Sequence, residues 1–156
     1  MKALNLGDEA NPNKRSVARL NAVQALYQLR MSADSRAEKV VTEFKAHRLS
    51  VANDPASVGE ADEKHFTAVV EGVNQRAEEI DALIVSALRE DWKIERLEHL
   101  LLSILRAGVY EILACSDIPV AVIVDEYIEV AKAFYEGSEP GFVNGVLDGL
   151  AKKCRA

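Results

Sequence analysis

Leu97-Glu98-His99-Leu100-Leu101-Leu102-Ser103-Ile104-Leu105-Arg106-Ala107-Gly108-Val109-Tyr110-Glu111-Ile112-Leu113-Ala114 is the stretch on which the fold turns. Its apolar residues, Leu97, Leu100, Leu101, Ile104, Leu105, Val109, Ile112 and Leu113, recur at helical steps and leave little polar face. A helix apolar nearly all round belongs inside a bundle, so this segment predicts a central buried helix. Working outward, Pro119 opens a helix from Val120 to Phe134, and a loop from Tyr135 to Gly141 precedes a last helix from Phe142 to Lys153. Upstream, Asp91-Trp92 interrupts the pattern. Before it, Phe66, Val69, Val73, Ala77, Ile80, Ile84 and Ala87 step by three or four. They predict one long helix from near Asp62 to Leu88, roughly 40 Å at 1.5 Å per residue. A first helix is expected from Lys14 to Met31 with Asn13 as its cap. A second, capped by Asp34 or Ser35, runs to about Leu49, and a loop follows through Asp54, Pro55 and Gly59. No segment alternates as a strand does, so the fold class is all-α.

Composition agrees. Twenty-two alanines, sixteen leucines and sixteen glutamates favour helix over the seventeen valines that oppose it. At 156 residues the chain suits one domain, here residues 13–156 behind a flexible arm at 1–12. With 49% hydrophobic and 28% charged residues it is neither a disordered nor a collagen-like chain. Cys115 and Cys154 form no CxxC, which implies neither a disulfide framework nor a zinc site. The longest apolar run is far too short to span a membrane, and a reducing cytoplasm is the default compartment.

The net charge of −6 argues against nucleic acid until its distribution is read. Lys14, Arg15, Arg19 and Arg30 stand in a segment, Lys14 to Met31, that has no acid; it carries +4 and the rest of the chain −10. A second small cluster, Lys152, Lys153 and Arg155, closes the chain. Positive charge at a helix N-terminus opposes the macrodipole. Arg15 and Arg19 share a face that continues into apolar Ala22 and Leu26, so the face starts basic and dives into the core. Free N–H groups with two guanidinium forks make a phosphate-binding end; a solvated charge run is the plainer account of the same spacing. Phe142, after a Gly-Ser-Glu-Pro-Gly loop, either stacks on an unpaired base or fills the core. Gly145 and Gly149 predict close approach of another backbone. Arg106 in the apolar helix needs a partner, and Glu111, Asp125 and Glu126 are the expected ion-pair network. His47, His65 and His99 are scattered, with no metal-ligand spacing, nucleophile elbow, P-loop or GxGxxG. No catalytic residue, metal or cofactor is expected.

These same residues resemble a known family. Ala18-Arg19 followed by Ala22-Val23-Gln24-Ala25-Leu26-Tyr27 is similar to the opening of the transcription antitermination factors of the NusB family. Leu105-Arg106-Ala107-Gly108-Val109-Tyr110-Glu111-Ile112-Leu113 resembles the family's central stretch, and Ile118-Pro119 before Glu126, Glu129 and Ala131-Lys132 resembles the helix that follows it. Phe142-Val143-Asn144-Gly145-Val146-Leu147-Asp148 matches its closing motif. The resemblance implies about seven helices in two subbundles. It implies binding of single-stranded boxA RNA together with the small-subunit ribosomal protein that acts as NusE, within the RNA polymerase antitermination complex of ribosomal RNA operons. It places RNA contacts on Lys14, Arg15, Arg19, Ser138 and Phe142, and partner contacts on Tyr27, Glu98 and Leu101. Relatives often carry an acid where this chain has Leu101, so that contact is expected to be absent or changed. Some have aspartate where it has Ser138, and losing a negative charge beside RNA favours binding. An acidic body suits a basic ribosomal protein. RNA is expected over the start of the first helix and the loop before Phe142, with the partner on an adjacent face near Tyr27.

Two other classes fit some of these features. One is the NusB-like domain of an RNA methyltransferase, although the chain has no Gly-rich cofactor domain. The other is a structural helical protein, such as a homodimer, whose basic end is incidental.

Overall fold

The computed structural model describes residues 13–32, 36–46 and 62–155. Seven α-helices, and no strand, occur among these residues: α1 (Asn13–Met31), α2 (Ala37–Phe44), α3 (Glu63–Gln75), α4 (Ala77–Ala87), α5 (His99–Ala114), α6 (Val120–Phe134) and α7 (Glu139–Cys154). A 3₁₀ turn, Ile94–Arg96, leads into α5. The expected arm at 1–12, the caps Asp34 and Ser35, the end of the second helix near Leu49, His47 and the loop through Pro55 and Gly59 lie outside the described residues. α1 begins at Asn13 itself, one place earlier than that residue's expected role as cap.

The apolar periodicity of α5 becomes the core. Leu101, Leu102, Ile104, Leu105, Ala107, Val109 and Ile112 are all buried, and α5 packs against α1, α3, α4, α6 and α7. On one side α1, α2 and α3 form a subbundle; on the other α4, α6 and α7 form a second, with α5 shared. Each large side chain fully buried between them, such as Phe66, Ile80, Ile104 or Leu147, contributes about 1.5–3 kcal/mol relative to exposure.

Three features depart from the sequence reading. The long helix to Leu88 is two helices, because Arg76 leaves helical geometry (φ −110°, ψ 25°). The Arg76 N–H still bonds Gly72 O, closing α3, and Arg76 O accepts from the Ile80 N–H, opening α4, so the bend is bonded on both of its sides. It lets α3 pack on α1 and α2 while α4 turns to α7. Second, α7 begins at Glu139, not Phe142, because Pro140 sits in the first turn, where no N–H is needed. Third, Gly145 and Gly149 face solvent, with nothing within 4 Å of a would-be Cβ. The close approaches are at Gly72, where a Cβ would enter the Tyr110 ring, and at Gly108, where it would lie 2.7 Å from Leu147 Cδ1. Those glycines let α3 and α7 close on α5. Val120–Phe134 and the Asp62 start of α3 stand as expected, with the Asp62 carboxylate accepting the His65 N–H.

Candidate functional site

The direction of the helices fixes which residues meet. Arg19 of α1 bonds Glu111 of α5, and Arg30 approaches His99, so α1 runs antiparallel to α5. Leu147 packs on Gly108, and Arg155 donates to Ile112 O and Cys115 O, so α7 runs parallel to α5. The residues expected at RNA therefore divide. Lys14 and Arg15 stand beyond the C-terminal end of α5, while Ser138 and Phe142 lie toward its N-terminal end, on the order of 20 Å away along the axis at 1.5 Å per residue.

Arg19 departs furthest from expectation. It is 2% exposed. Its Nε and Nη2 donate to Glu111 Oε2 and Oε1 at 2.8 and 2.9 Å, and its Nη1 donates to Glu126 Oε1 at 2.6 Å. The Ser16 hydroxyl donates to the same Glu126 oxygen, and the Tyr127 hydroxyl donates to Glu111 Oε2. His65 Nε2 lies 3.1 Å from Glu111 Oε1. Burial by itself pushes the Glu111 carboxyl up, but the His65 ring and the Arg19 guanidinium outweigh it and hold the group at about 2. Burial likewise lowers the Arg19 guanidinium, and its bonds and charge pairing with Glu111 more than reverse this. Burial, and then the Glu111 charge, push the Tyr127 phenol well up. A guanidinium fork committed to two carboxylates is a core fixture, so Arg19 leaves the candidate RNA set. Arg106 is likewise not the partner of Glu111: it makes a bidentate pair with Asp81 of α4, both bonds 2.8 Å.

The basic end is thus thinner than the sequence implies. Lys14 and Arg15 remain exposed, with Arg15 Nε 3.5 Å from Asp62 Oδ2. The closing cluster is divided too: Arg155 bonds the carbonyl oxygens of Glu111, Ile112, Cys115 and Ile118, capping the end of α5 with a cation as the helix dipole favours. Lys152 pairs with Asp148, and Lys153 reaches the Ser86 hydroxyl.

At the other end of α5 the aromatics are open. Tyr27 is 37% exposed and lines a groove of about 480 Å³ with Gln24, Gln28, Met31, Phe44, Leu100 and Phe134. Leu101, expected at the partner, is 8% exposed and belongs to the core; its neighbour Leu100 faces the groove instead, one helical step around. Glu98 is exposed and accepts a hydrogen bond from the Tyr135 hydroxyl. Ser138 is exposed, and its hydroxyl caps nothing. Phe142 is half-buried and stacks on Trp92, with ring centroids 5.4 Å apart and planes 30° off parallel. In the sequence Trp92 reads only as a break in periodicity. A lone tryptophan in a turn between charged residues was the signal available.

Among the described residues no three His, Cys, Asp or Glu side chains are grouped to hold a metal, and no helix is long and apolar enough to cross a membrane.

The family model described as the NusB family matches residues 16–152. A protein named transcription antitermination protein NusB from Sphingopyxis alaskensis is 48% identical over 90% of this chain and 94% of its own length. One of the same name from Agrobacterium fabrum is 49% identical over 92% of this chain and 86% of its own. Among solved structures, T. maritima NusB superposes with a TM-score of 0.74 at 30% identity, covering 89% of this chain and 91% of that one.

Proposed function

The chain belongs to the NusB family, and from that premise we propose that it serves transcription antitermination by binding single-stranded boxA RNA jointly with the small-subunit ribosomal protein that acts as NusE. The observation that carries the proposal is identity of about half, over nine-tenths of the chain, to proteins named for that process. Geometry supports a division of labour. Lys14 and Arg15 are exposed cations suited to phosphate, and Ser138 and Phe142 flank a second place where RNA can lie. A strand touching both runs along the length of α5. The groove beside Tyr27 has apolar walls and sits in an acidic body, which suits a basic protein partner. RNA polymerase engages the assembled complex rather than this chain alone.

The test is fluorescence anisotropy of labelled boxA RNA, with and without the ribosomal protein. RNA binding is expected to be weak alone and tighter with the partner by a coupling of ~1–3 kcal/mol. Replacing both Lys14 and Arg15 by alanine weakens RNA binding and flattens its salt dependence. Tyr27→Ala loses the partner but keeps the weak RNA affinity. If Tyr27→Ala stayed folded and lost RNA binding equally, the two-surface reading would be wrong.

A further inference from the structure

We propose that Trp92 is a base-stacking platform: the indole, backed by Phe142, takes one base of a single-stranded RNA in the recess beside it, with Lys93 and Arg96 receiving the adjoining phosphates. The proposal rests on the RNA-binding reading and adds a residue and a subsite to it.

Trp92 lies in the turn between α4 and the 3₁₀ segment, held by its N–H bond to Arg89 O. It is the only tryptophan in the chain and remains 45% exposed. Leaving the largest apolar side chain half in water is a cost that a core position would avoid. Phe142 supports the ring from one side, so the indole is held in place before any ligand arrives. Such a preformed π-face accepts any base, since every base presents one. Phe142 does not line the adjacent recess; Asp91, Trp92, Lys93, Arg96 and Leu97 do. Its volume, about 310 Å³, is at the lower end for small-ligand pockets, the scale of a single nucleotide.

The charges around it fit an anion carried by an aromatic base. The Lys93 and Arg96 side chains are exposed and have no carboxylate partner among the described residues. The one acid in the lining, Asp91, lies 3.9 Å from the Arg89 guanidinium and is offset by it. Continuity favours RNA over a protein ligand. Phe142 and Ser138 share the first turn of α7, joined by the Phe142 N–H to Ser138 O bond, and the exposed Ser138 hydroxyl extends the same surface. Phe142, whose ring is already occupied by Trp92, then acts from behind, and the residue that meets the base is Trp92.

Because Trp92 is the sole tryptophan, its emission reports on this place alone. The full chain is titrated with an unlabelled single-stranded boxA oligonucleotide while emission is followed, and anisotropy of the labelled oligonucleotide is measured in parallel. The expected result is saturable quenching with the same midpoint as the anisotropy curve. Trp92→Ala should bind roughly 5- to 100-fold more weakly, whereas Trp92→Phe, which keeps a stacking face, retains most of the affinity. Lys93→Ala with Arg96→Ala leaves the fold unchanged and lowers the salt slope. RNA binding by anisotropy with unchanged emission and full affinity in Trp92→Ala overturns the platform while leaving the RNA reading intact. Absence of any RNA binding, with or without the ribosomal protein, removes both. Quenching by the ribosomal protein and not by RNA assigns the indole to a protein contact and overturns the proposal.

Discussion

At the C-terminal end of α5, a carboxylate, a guanidinium, an imidazole and a phenol are folded into one another around Glu111, and Arg155 closes the helix's last carbonyls. At its N-terminal end, Trp92, Tyr27 and Leu100 meet solvent beside two recesses, and the local charged groups sit at the surface. The first end holds polar groups that have spent their bonds on one another; the second holds apolar surface that burial has not used. A buried charge must be satisfied, so the residues that satisfy it are bound to the fold rather than available to a ligand. An exposed aromatic has the opposite status: it remains available. In this chain the richest concentration of charge therefore carries stability, and the side chains that stay exposed are aromatics and the few cations outside the knot.

The largest test of that contrast is Glu111→Ala. It strands Arg19 in the core without its bidentate partner and removes the acceptor of Tyr127. Breaking one side of a buried pair costs about 3–5 kcal/mol, read as a lowered urea midpoint with an unchanged slope. A loss under ~1 kcal/mol, the range of exposed pairs, would mean that the two ends of α5 do not differ in kind.

Much of this architecture was legible in the sequence, and the exceptions have physical causes. The burial of α5, the span of α6 and the start of α3 near Asp62 follow from apolar periodicity and its breaks, which are local. The bend at Arg76 has no glycine or proline to announce it; it arises because α3 and α4 bury against different neighbours. Arg15 and Arg19 look alike in sequence, and only the arrival of Glu111 and Glu126, about a hundred residues later, separates them. Leu100 and Leu101 differ by one step around the helix, finer than a stripe of consecutive leucines can resolve. Trp92 reads as punctuation until Phe142, fifty residues away, is found against it.

Acid titration tests the same end by a second route and a somewhat smaller effect. The Glu111 carboxyl titrates at about 2 in the folded chain against 4.5 ordinarily, because the cations around it favour its charged form. A depressed carboxyl contributes stability above its unfolded value and loses it as pH falls toward the folded one. Between about pH 4.5 and pH 2 the chain should lose on the order of 3 kcal/mol through this group. Glu111→Gln, which cannot titrate there, should show a shallower fall in urea-measured stability over that range. Parallel curves for the two proteins would mean that the knot is not what acid dissolves.

The smallest effect falls on the arginine one turn from the knot. Arg15 is half exposed, and its 3.5 Å approach to Asp62 is open to water and salt. Asp62 does not depend on it, since its carboxylate still accepts the His65 N–H and caps α3. Arg15→Ala should therefore cost under ~1 kcal/mol of stability, and added salt should shrink even that. Its consequence should appear in binding: one phosphate contact fewer lowers the slope of log K against log salt for RNA by about one. Arg19→Ala should do the reverse, losing several-fold more stability for a charge of the same sign on the same helix. The comparison needs only the two single variants, each measured by urea denaturation and by RNA titration at several salt concentrations. If Arg15→Ala were as destabilising as Arg19→Ala, with an unchanged salt slope, then the exposed start of α1 would be part of the knot and not a place for phosphate.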